Sequence, residues 1–346
     1  MTADTAVNNE LSPDAAKGRM LDFQNGLRLA HLLYVVAELG VADQLAAGPL
    51  PVDEIAKRVD AHPGTLYRAL RAVASRGVFT EVAPSTFALN TMAETLRSDV
   101  PGSLRDHFRY EGQPALQQAY AALGHSVRTG ESAFEHVHGT DLFSYLNARP
   151  EMGKIFNSAM GEIVSHLQSV AVASYDLTGV RKVVDIGGGH GYLVARILQR
   201  YPQMRGVVFD QPEVVPGAVD VLADAGVVDR AETASGDYLA AVPAGADAYV
   251  ISHVVHQLSD EEAITVLRNI REVMDPAGRV VVLDPVIPEG DVPHPGKFLD
   301  IVMMALTPGR ERTEAEFAAL FRAAGLRHAE TVALSAPSSV VVAVAD

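Results

Sequence analysis

From Arg181 onward, short β-branched runs alternate with helical segments, and this alternation leaves few folds open to the chain. Four such runs are each followed by a helical stretch: Lys182–Ile186, Arg205–Phe209, Ala246–Ser252 and Arg279–Asp284. The pattern is typical of an α/β protein with a doubly wound parallel sheet. Two helix starts support it, because Ser259-Asp-Glu-Glu262 and Thr313-Glu-Ala-Glu316 both fit the capping box.

The part of the chain before this alternation predicts mainly helices. Between Leu29 and Arg105 we expect a run of short helices, one part of which has the order of a winged helix. That order is a helix at Val52–Val59, a second helix that begins at Pro63 and is ended by Gly77, and a hairpin of Val78–Val82 with Thr86–Leu89. Residues 106–175 predict amphipathic helices. We therefore expect a winged-helix domain at 1–105 and a second domain at 106–346.

A winged helix is typical of two functions, DNA binding and dimerisation. Arg68, Arg71 and Arg76 on the second helix keep DNA binding open. The stretch up to Arg105, however, holds ten basic and twelve acidic residues, whereas a DNA reader usually has a positive excess. The whole chain has a formal net charge of −15, which repels phosphate backbones and anionic lipid surfaces. We therefore expect neither nucleic acid nor a membrane as a partner.

Composition excludes several kinds of site and indicates a compartment. The chain has no cysteine, so disulfides, iron–sulfur clusters, thiolate zinc sites and a thiol nucleophile are excluded. Met1–Met20 is polar and partly acidic without an apolar h-region, and no later stretch offers the roughly 20 apolar residues of a membrane span. We expect a cytoplasmic protein.

The sharpest motif is Val184-Asp-Ile-Gly-Gly-Gly-His-Gly191, between an apolar strand and the predicted helix Tyr192–Arg200. Glycine at 187, 189 and 191 lets the backbone turn tightly and approach a ligand closely. Sites for NAD, FAD and S-adenosylmethionine all use such a cluster, and a tight packing turn would use one too. Asp210, at the end of the next strand, favours a nucleotide-type site, because an acidic group there accepts hydrogen bonds from a ribose diol.

Asp185, two residues before the first glycine of this motif, favours a cationic cofactor. Its carboxylate could meet the amino-acid end of S-adenosylmethionine, but it would face the pyrophosphate of NAD unfavourably. Gly236-Asp237-Tyr238 follows the third strand and adds a carboxylate for the adenine amino group and a ring that could pack on the base.

Five motifs, taken in order and spacing, carry a family resemblance. They are Asp185-Ile-Gly-Gly-Gly-His-Gly191, Phe209-Asp-Gln-Pro212, Gly236-Asp-Tyr238, His253-Val-Val-His-Gln-Leu-Ser-Asp-Glu-Glu262 and Gly309-Arg-Glu-Arg-Thr-Glu-Ala-Glu-Phe317. With these, Phe156-Asn-Ser-Ala-Met160 and the winged helix, the chain resembles S-adenosylmethionine-dependent O-methyltransferases of the caffeate and hydroxyneurospirene type. Within this family, the resemblance is closer to actinobacterial enzymes that methylate aromatic polyketides and other secondary metabolites.

The resemblance implies a fold, a cofactor and an assembly. The fold is a Rossmann-like methyltransferase domain preceded by a mainly helical winged-helix dimerisation domain. The cofactor is S-adenosyl-L-methionine, with S-adenosyl-L-homocysteine as its product. The N-terminal domain makes an intertwined homodimer, and no metal is used.

Methyl transfer to a phenol requires a base, because a phenol with a pKa near about 10 is mostly protonated at neutral pH. His256 follows the fourth strand, at the carboxyl edge of the sheet, where ligands bind. By resemblance it occupies the position of the family's general base, although the family's usual His-Asp-Trp reads His256-Gln257-Leu258 here. His253, three residues earlier, is the rival base or a substrate contact.

Two carboxylates match the family's partners for this histidine. Asp284 ends the fifth strand, and Glu311 lies in the Glu-Arg-Thr stretch before the last helix. A carboxylate bonded to one imidazole nitrogen fixes the tautomer and stabilises the imidazolium. Their alternative roles are a solvated acid at a strand end and a charge that favours a helix start.

The remaining candidates surround the cofactor and the acceptor. Ser252 stands where many relatives carry a lysine that contacts the adenosine part of the cofactor, and serine can still donate one hydrogen bond. We expect Met160, Met303 and Met304 to line the acceptor pocket, with Asn157 nearby, because methionine adapts to flat aromatic surfaces. Core packing is the alternative for the methionines. Carboxylates in a cleft can bind Mg²⁺, but these acids have separate roles, so we expect no metal site.

The sequence thus predicts a homodimeric O-methyltransferase that acts on a phenolic hydroxyl of an aromatic, polyketide-type natural product in secondary metabolism such as antibiotic biosynthesis. The nearest alternative keeps the cofactor but changes the reaction to decarboxylation, hydroxylation, or methylation of nitrogen or carbon. A more distant alternative is a regulator that binds DNA through the winged helix.

Overall fold

The computed structural model describes residues 11–335 and 337–346, without the side chains at 162, 163, 165 and 166. The chain forms two compact units. One holds the described residues up to Gln118 together with Phe143–Ile163, and the other holds Ala119–Leu142 with Val164–Asp346. The first ten residues of the predicted Met1–Met20 stretch lie outside the described part. The boundary expected between residues 105 and 106 stays a prediction.

The first half of the chain is mainly helical, as predicted. Its elements in order are α1 (Pro13–Glu38), α2 (Val41–Gln44), β1 (Leu50–Pro51), α3 (Val52–Arg58), α4 (Pro63–Ala74), β2 (Thr80–Ala83), β3 (Thr86–Ala88), α5 (Thr91–Glu94), α6 (Arg105–Glu111), α7 (Pro114–Ala121), α8 (Leu123–Thr129), α9 (Ala133–His138), α10 (Leu142–Asn147) and α11 (Pro150–Ser174). The three short strands form an antiparallel sheet in the order β1-β3-β2.

The winged helix predicted from the sequence is present. Its second helix, α4, begins at Pro63 and buries Leu66, Leu70 and Val73, and β2 and β3 form the wing. Helix α4 ends at Ala74, three residues before the predicted end at Gly77, and Gly77 adopts a positive φ in the turn that follows. The expectation of only short helices is wrong at the start of this unit, because α1 runs for 26 residues.

The second half of the chain alternates strands and helices. Its elements are β4 (Lys182–Ile186), α12 (Tyr192–Arg200), β5 (Arg205–Asp210), α13 (Ala218–Asp224), β6 (Ala231–Ser235), β7 (Ala248–Ser252), α14 (Asp260–Val273), β8 (Arg279–Pro285), α15 (Gly296–Leu306), α16 (Glu314–Ala323), β9 (Leu326–Ala333) and β10 (Ser338–Ala345). A single 3-10 turn at Val255–Gln257 connects β7 to α14. Both predicted capping boxes form, at the starts of α14 and α16.

These strands make one seven-stranded sheet in the order β6-β5-β4-β7-β8-β10-β9. The five strands from β6 to β8 are parallel, and β10 runs antiparallel to both of its neighbours. The chain leaves β4 toward one edge of the sheet and later returns beside it as β7. Ligands of doubly wound sheets bind at such a reversal, outside the carboxyl ends of the strands.

Alternating side chains of the strands bury both faces of the sheet. Val184 and Ile251 point to the face covered by α14 and α16, whereas Val183 and Val250 point to the face covered by α12 and α13. Coverage of both faces explains why the strands are nearly continuous hydrophobic runs. Within residues 11–335 and 337–346, no helix combines the length and the apolar character needed to cross a membrane.

Candidate functional site

The glycine motif forms a tight loop between β4 and α12. The backbone N–H groups of Gly187 and Gly188 both donate to the Phe209 carbonyl, at 2.8 and 3.1 Å, which fixes the loop on the neighbouring strand. Gly187 has a φ of 69°, and a Cβ on it would lie 2.6 Å from Val254 Cγ2. Only glycine tolerates both this positive φ and the lack of space for a Cβ. The loop therefore packs directly against the segment that follows β7.

Asp210 lies at the end of β5 and faces the same loop. Its Oδ2 accepts a hydrogen bond from the Gly189 N–H at 2.8 Å, and its Oδ1 accepts one from the Gln211 N–H at 2.7 Å. Burial raises the pKa of this carboxyl, although the two backbone hydrogen bonds oppose the shift. The structure thus places Asp210 beside Gly189, as expected for neighbouring parallel strands.

Asp185 is buried on β4, just before the glycine loop. It is 1% exposed, and its Oδ1 has no hydrogen-bond partner within the part of the chain that the structure describes. Burial raises its pKa well above the ordinary value, and the nearby Asp210 charge adds to the rise. A buried acceptor without a partner is costly unless a donor reaches it. A cationic group at this position would stabilise the charged form of Asp185.

Gly236, Asp237 and Tyr238 follow β6 at the same edge of the sheet. The Gly236 N–H donates to the Asp210 carbonyl at 3.0 Å. Asp237 is exposed and caps the turn, since its Oδ1 accepts from the Leu239 N–H at 2.8 Å. Burial raises the pKa of the half-buried Tyr238 to about 12, so its hydroxyl stays protonated. The turn that holds these three predicted residues therefore begins in contact with Asp210.

His256 lies in the 3-10 turn after β7 and is held at two points. Its Nδ1 lies 2.7 Å from Glu311 Oε1, and its backbone N–H donates to Asp284 Oδ2 at 3.1 Å. Because Glu311 is a carboxylate acceptor, Nδ1 carries the hydrogen and Nε2 is left to accept a proton. The three predicted residues His256, Asp284 and Glu311 thus form one buried cluster.

The charges of this cluster set its proton affinity. Burial alone would lower the pKa of His256, but the Asp284 charge and the Glu311 hydrogen bond outweigh it, so the pKa is raised. Burial raises the pKa of Asp284 to about 7, against the lowering effect of His256. Among the described residues, neither Asp284 Oδ1 nor Glu311 Oε2 has a hydrogen-bond partner. The cluster therefore has hydrogen-bond acceptors that are free within the described chain, and its His256 and Asp284 side chains lose their protons at a higher pH than usual.

His253 is placed differently, although its ring centroid is only 5.6 Å from that of His256. Its Nδ1 lies 3.1 Å from Ser252 Oγ, and its Nε2 lies 3.0 Å from Ser338 Oγ in β10. Gln168 in turn donates to Ser252 Oγ at 3.2 Å, which leaves the serine hydroxyl hydrogen for His253 Nδ1. Burial, and then the His256 charge, lower the pKa of His253 to about 3, so the ring is neutral.

The predicted acceptor-pocket residues fall in different units. Asn157 is exposed and Met160 half-buried on α11, in the first unit. Met303 is buried and Met304 half-buried on α15, in the second unit, where the Met303 carbonyl accepts from the Thr307 N–H. Their assignment to a pocket stays a prediction. In the described segments, no cluster of three or more His, Asp or Glu side chains could hold a metal ion.

Three residues at this edge carry no role in the sequence prediction. Arg312 is fully buried beside the His256 turn, and Ser338 and Gln168 complete the hydrogen-bonded chain around His253. Arg312 lies inside the motif that predicts Glu311. Its burial, however, is invisible in a local pattern, because an arginine before a helix is usually solvated.

Comparison with known proteins identifies two domains. The family model of the O-methyltransferase domain matches residues 120–327, and that of the O-methyltransferase dimerisation domain matches residues 21–99. The dimerisation-domain range holds the winged helix, and the O-methyltransferase range holds the residues of the sheet edge just described except Ser338.

Individual relatives match over most of their length. The phenazine O-methyltransferase PhzM of Lysobacter antibioticus is 38% identical over 97% of this chain and 98% of its own. The mitomycin biosynthesis 6-O-methyltransferase of Streptomyces lavendulae is 36% identical over 90% of each. The crystal structure of NcsB1, an O-methyltransferase from neocarzinostatin biosynthesis in complex with S-adenosylmethionine and 2-hydroxy-5-methyl naphthoic acid, is 30% identical. It covers 92% of this chain and 96% of its own, with a TM-score of 0.80.

Proposed function

The chain belongs to the family of S-adenosylmethionine-dependent O-methyltransferases, and we propose that it methylates a phenolic hydroxyl of an aromatic natural product with His256 as general base. The family confirms the resemblance, the fold class and the cofactor predicted from the sequence. An aromatic acceptor is supported by NcsB1, whose crystal structure holds a naphthoic acid, and by the phenazine enzyme.

The residues at the carboxyl edge of the sheet fit S-adenosylmethionine. The buried Asp185 Oδ1 without a partner suits a cationic ligand, and the glycine loop leaves open space where a Cβ at Gly189 would lie. The residues that would hold the cofactor are Asp185, Gly187, Gly189, Asp210, Gly236, Asp237, Tyr238 and Ser252. The bound cofactor supplies an electrophilic methyl group.

The observation that carries the base assignment is the 2.7 Å contact between His256 Nδ1 and Glu311 Oε1. It leaves Nε2 as the nitrogen that can take the proton of the acceptor, and it stabilises the imidazolium that forms. Asp284 reinforces this through its charge and its hydrogen bond to the backbone. Gly187 of the glycine loop packs against Val254, which lies two residues before His256, so the base is connected to this loop.

His253 is the weaker candidate for the base. Both of its ring nitrogens lie within hydrogen-bond distance of serine hydroxyls, and its pKa of about 3 makes it a poor proton acceptor at neutral pH. A substrate contact through its neutral ring stays a proposal. We also propose that Asn157, Met160, Met303 and Met304 line the acceptor pocket, where flexible thioethers suit an aromatic ring.

A homodimer through the N-terminal domain, 1–105, is the proposed assembly, with 106–346 as the catalytic domain. The dimerisation-domain match begins at residue 21, within α1. Met20, Phe23 and Leu27 follow one another at helical spacing on α1, and each is more than half exposed in the single chain. An apolar stripe of this kind marks a contact surface. A near-neutral charge in the same domain favours dimerisation over DNA binding.

The function is tested by incubating the protein with methyl-labelled S-adenosylmethionine and a panel of hydroxylated naphthoates, anthraquinones and catechols. We expect label in an aromatic methyl ether, identified by product mass and by the NMR shift of the methyl carbon, which separates O-methyl from N-methyl and C-methyl. Absence of transfer to every acceptor, while calorimetry shows cofactor binding, would overturn the proposal. A product that has lost carboxylate or gained hydroxyl, or a methylated nitrogen or carbon, would instead support the changed-reaction alternative. DNA retardation at low salt would support a regulator.

A further inference from the structure

The segment Gly309–Arg312 packs against the turn that carries His256. Gly309 packs so closely that a Cβ on it would overlap the His256 carbonyl oxygen and lie 2.7 Å from Gln257 Cα. Glu311, in the same segment, makes the hydrogen bond to the imidazole ring. The segment therefore contacts both the backbone and the side chain of the base.

Arg312 adds two hydrogen bonds to the backbone of the turn. Its side chain is fully buried, and its Nη1 donates to the Val255 carbonyl at 2.8 Å while its Nη2 donates to the Leu258 carbonyl at 2.9 Å. These carbonyls lie on either side of His256 in the chain. One planar guanidinium thus connects the residue before the base with the second residue after it, and its rigid fork fixes both carbonyls, whereas a lysine ammonium on a flexible stem does not.

The Arg312 guanidinium is held by a carboxylate, and the Arg312 backbone pairs with the residues that follow β8. Asp260 Oδ1 accepts from Arg312 Nε at 3.1 Å and from Nη2 at 2.8 Å. The Arg312 backbone pairs with Val286 in a parallel bridge, just after β8, and its carbonyl accepts from the Ile287 N–H at 3.0 Å. A buried charge with this many partners is an anchored element rather than a solvated arginine.

We propose that Arg312 is a positioning residue for the methyl transfer, which holds the 3-10 turn so that the His256 ring stays on Glu311 and at a fixed place above the strand ends. This inference rests on the proposed function, because it assigns the alignment of the same base. Arg312 acts through the backbone of the turn. Displacement of a catalytic group by about 1 Å can reduce a rate by about 100-fold, so a loosened turn has a measurable effect.

Arg310 offers a matched control. It also pairs with Asp260, through Nη2 and Oδ2 at 2.8 Å, but it is half-exposed, and its side chain donates to Asp260 and Glu316 rather than to carbonyls of the turn. Arg310→Lys and Arg312→Lys therefore make the same substitution at two residues that both contact the Asp260 carboxylate. Only Arg312→Lys removes the double contact to the turn.

The experiment compares single-turnover methyl transfer, cofactor affinity and the pH profile in the two variants. For Arg312→Lys we expect a rate about 10- to 100-fold below wild type, a calorimetric Kd for S-adenosylmethionine within about twofold of wild type, and a pH midpoint displaced downward as the Glu311 contact loosens. Arg310→Lys should match wild type in all three. A wild-type rate and midpoint in Arg312→Lys, or an equal loss in Arg310→Lys, would overturn the proposal.

Two further measurements separate positioning from simple loss of folding and from failure of the proposed function. Gly309→Ala displaces the same turn without removing a buried charge, and it should show the same lowered rate, unchanged Kd and lowered pH midpoint. A wild-type rate in that variant contradicts the proposal even where Arg312→Lys does not fold.

Imidazole NMR of the protein without substrates needs no methyl acceptor. We expect the low-field Nδ1–H signal of His256 to weaken in Gly309→Ala and to persist in Arg310→Lys. If wild type transfers no methyl group, the function fails, whereas this signal still reports the positioning.

Discussion

Glu311 is expected to set the pH at which the enzyme becomes active. Its Oε1 lies 2.7 Å from His256 Nδ1, and the two side chains are almost completely buried, at 0% and 6% exposed. The base accepts a proton only when it is neutral, so the rate should rise as the pH passes the pKa of His256, which is raised above its ordinary value of 6.5. The pH–rate profile of wild type should therefore fall on its acidic side, with the midpoint of this acidic limb above pH 6.5.

Glu311→Gln removes the charge and keeps an oxygen that can accept the imidazole hydrogen. A hydrogen bond to a charged partner contributes about 1.5–3 kcal/mol, against about 0.5–1.5 for a neutral one. The centres of these ranges differ by about 1.3 kcal/mol, which corresponds to roughly one pKa unit. We expect the midpoint to fall by about one unit, and the rate on the plateau to fall about tenfold or more, because the imidazolium loses its counter-charge.

Single-turnover methyl transfer measured from about pH 5 to about pH 9 provides the assay. Glu314→Gln is the control, since it makes the same change on an exposed residue three positions further along the chain, at the start of α16, and its midpoint should equal that of wild type. A midpoint in Glu311→Gln that stays in place, or moves upward, would refute the reasoning that this carboxylate holds the proton on His256.

Three further changes have expected outcomes. Asp185→Asn should raise the calorimetric Kd for S-adenosylmethionine about tenfold or more, because a buried carboxylate loses its charge; an unchanged Kd would remove Asp185 from the cofactor site. His253→Ala should lower the Tm but keep the acidic limb, since Ser252 and Ser338 lose a partner while His256 stays; loss of the limb would make His253 the base. Phe23→Asp on the exposed stripe of α1 should give monomers in light scattering, and a persisting dimer would contradict the proposed interface.

Local signals in the sequence predicted the elements that build the site. Strand β4 and helix α12 have the bounds expected from the β-branched run and from the glycine turn, because both signals depend on neighbouring residues. The capping boxes of α14 and α16 form for the same reason. The start of α1 also carried a local signal, since Ser12 caps the helix and Pro13 occupies its first position, but that signal lies outside the stretch expected to be helical.

Contacts between distant parts of the chain could not be predicted in this way. Ser338, which faces His253, lies 85 residues further along the chain, on the antiparallel strand β10. Arg312 stands next to Glu311, yet its role depends on carbonyls of Val255 and Leu258, more than 50 residues earlier. Hydrogen bonds to backbone carbonyls leave no pattern of residue types at the acceptor, so only the structure shows them.

Replacement of His256 tests the central claim most directly, since the ring at this position is assigned the proton of the acceptor. His256→Ala should reduce single-turnover methyl transfer by a factor on the order of 10² to 10⁴, and leave the calorimetric Kd for S-adenosylmethionine near that of wild type. A rate equal to that of wild type, with the same acceptor and the same folded protein, would contradict the assignment of His256 as the base.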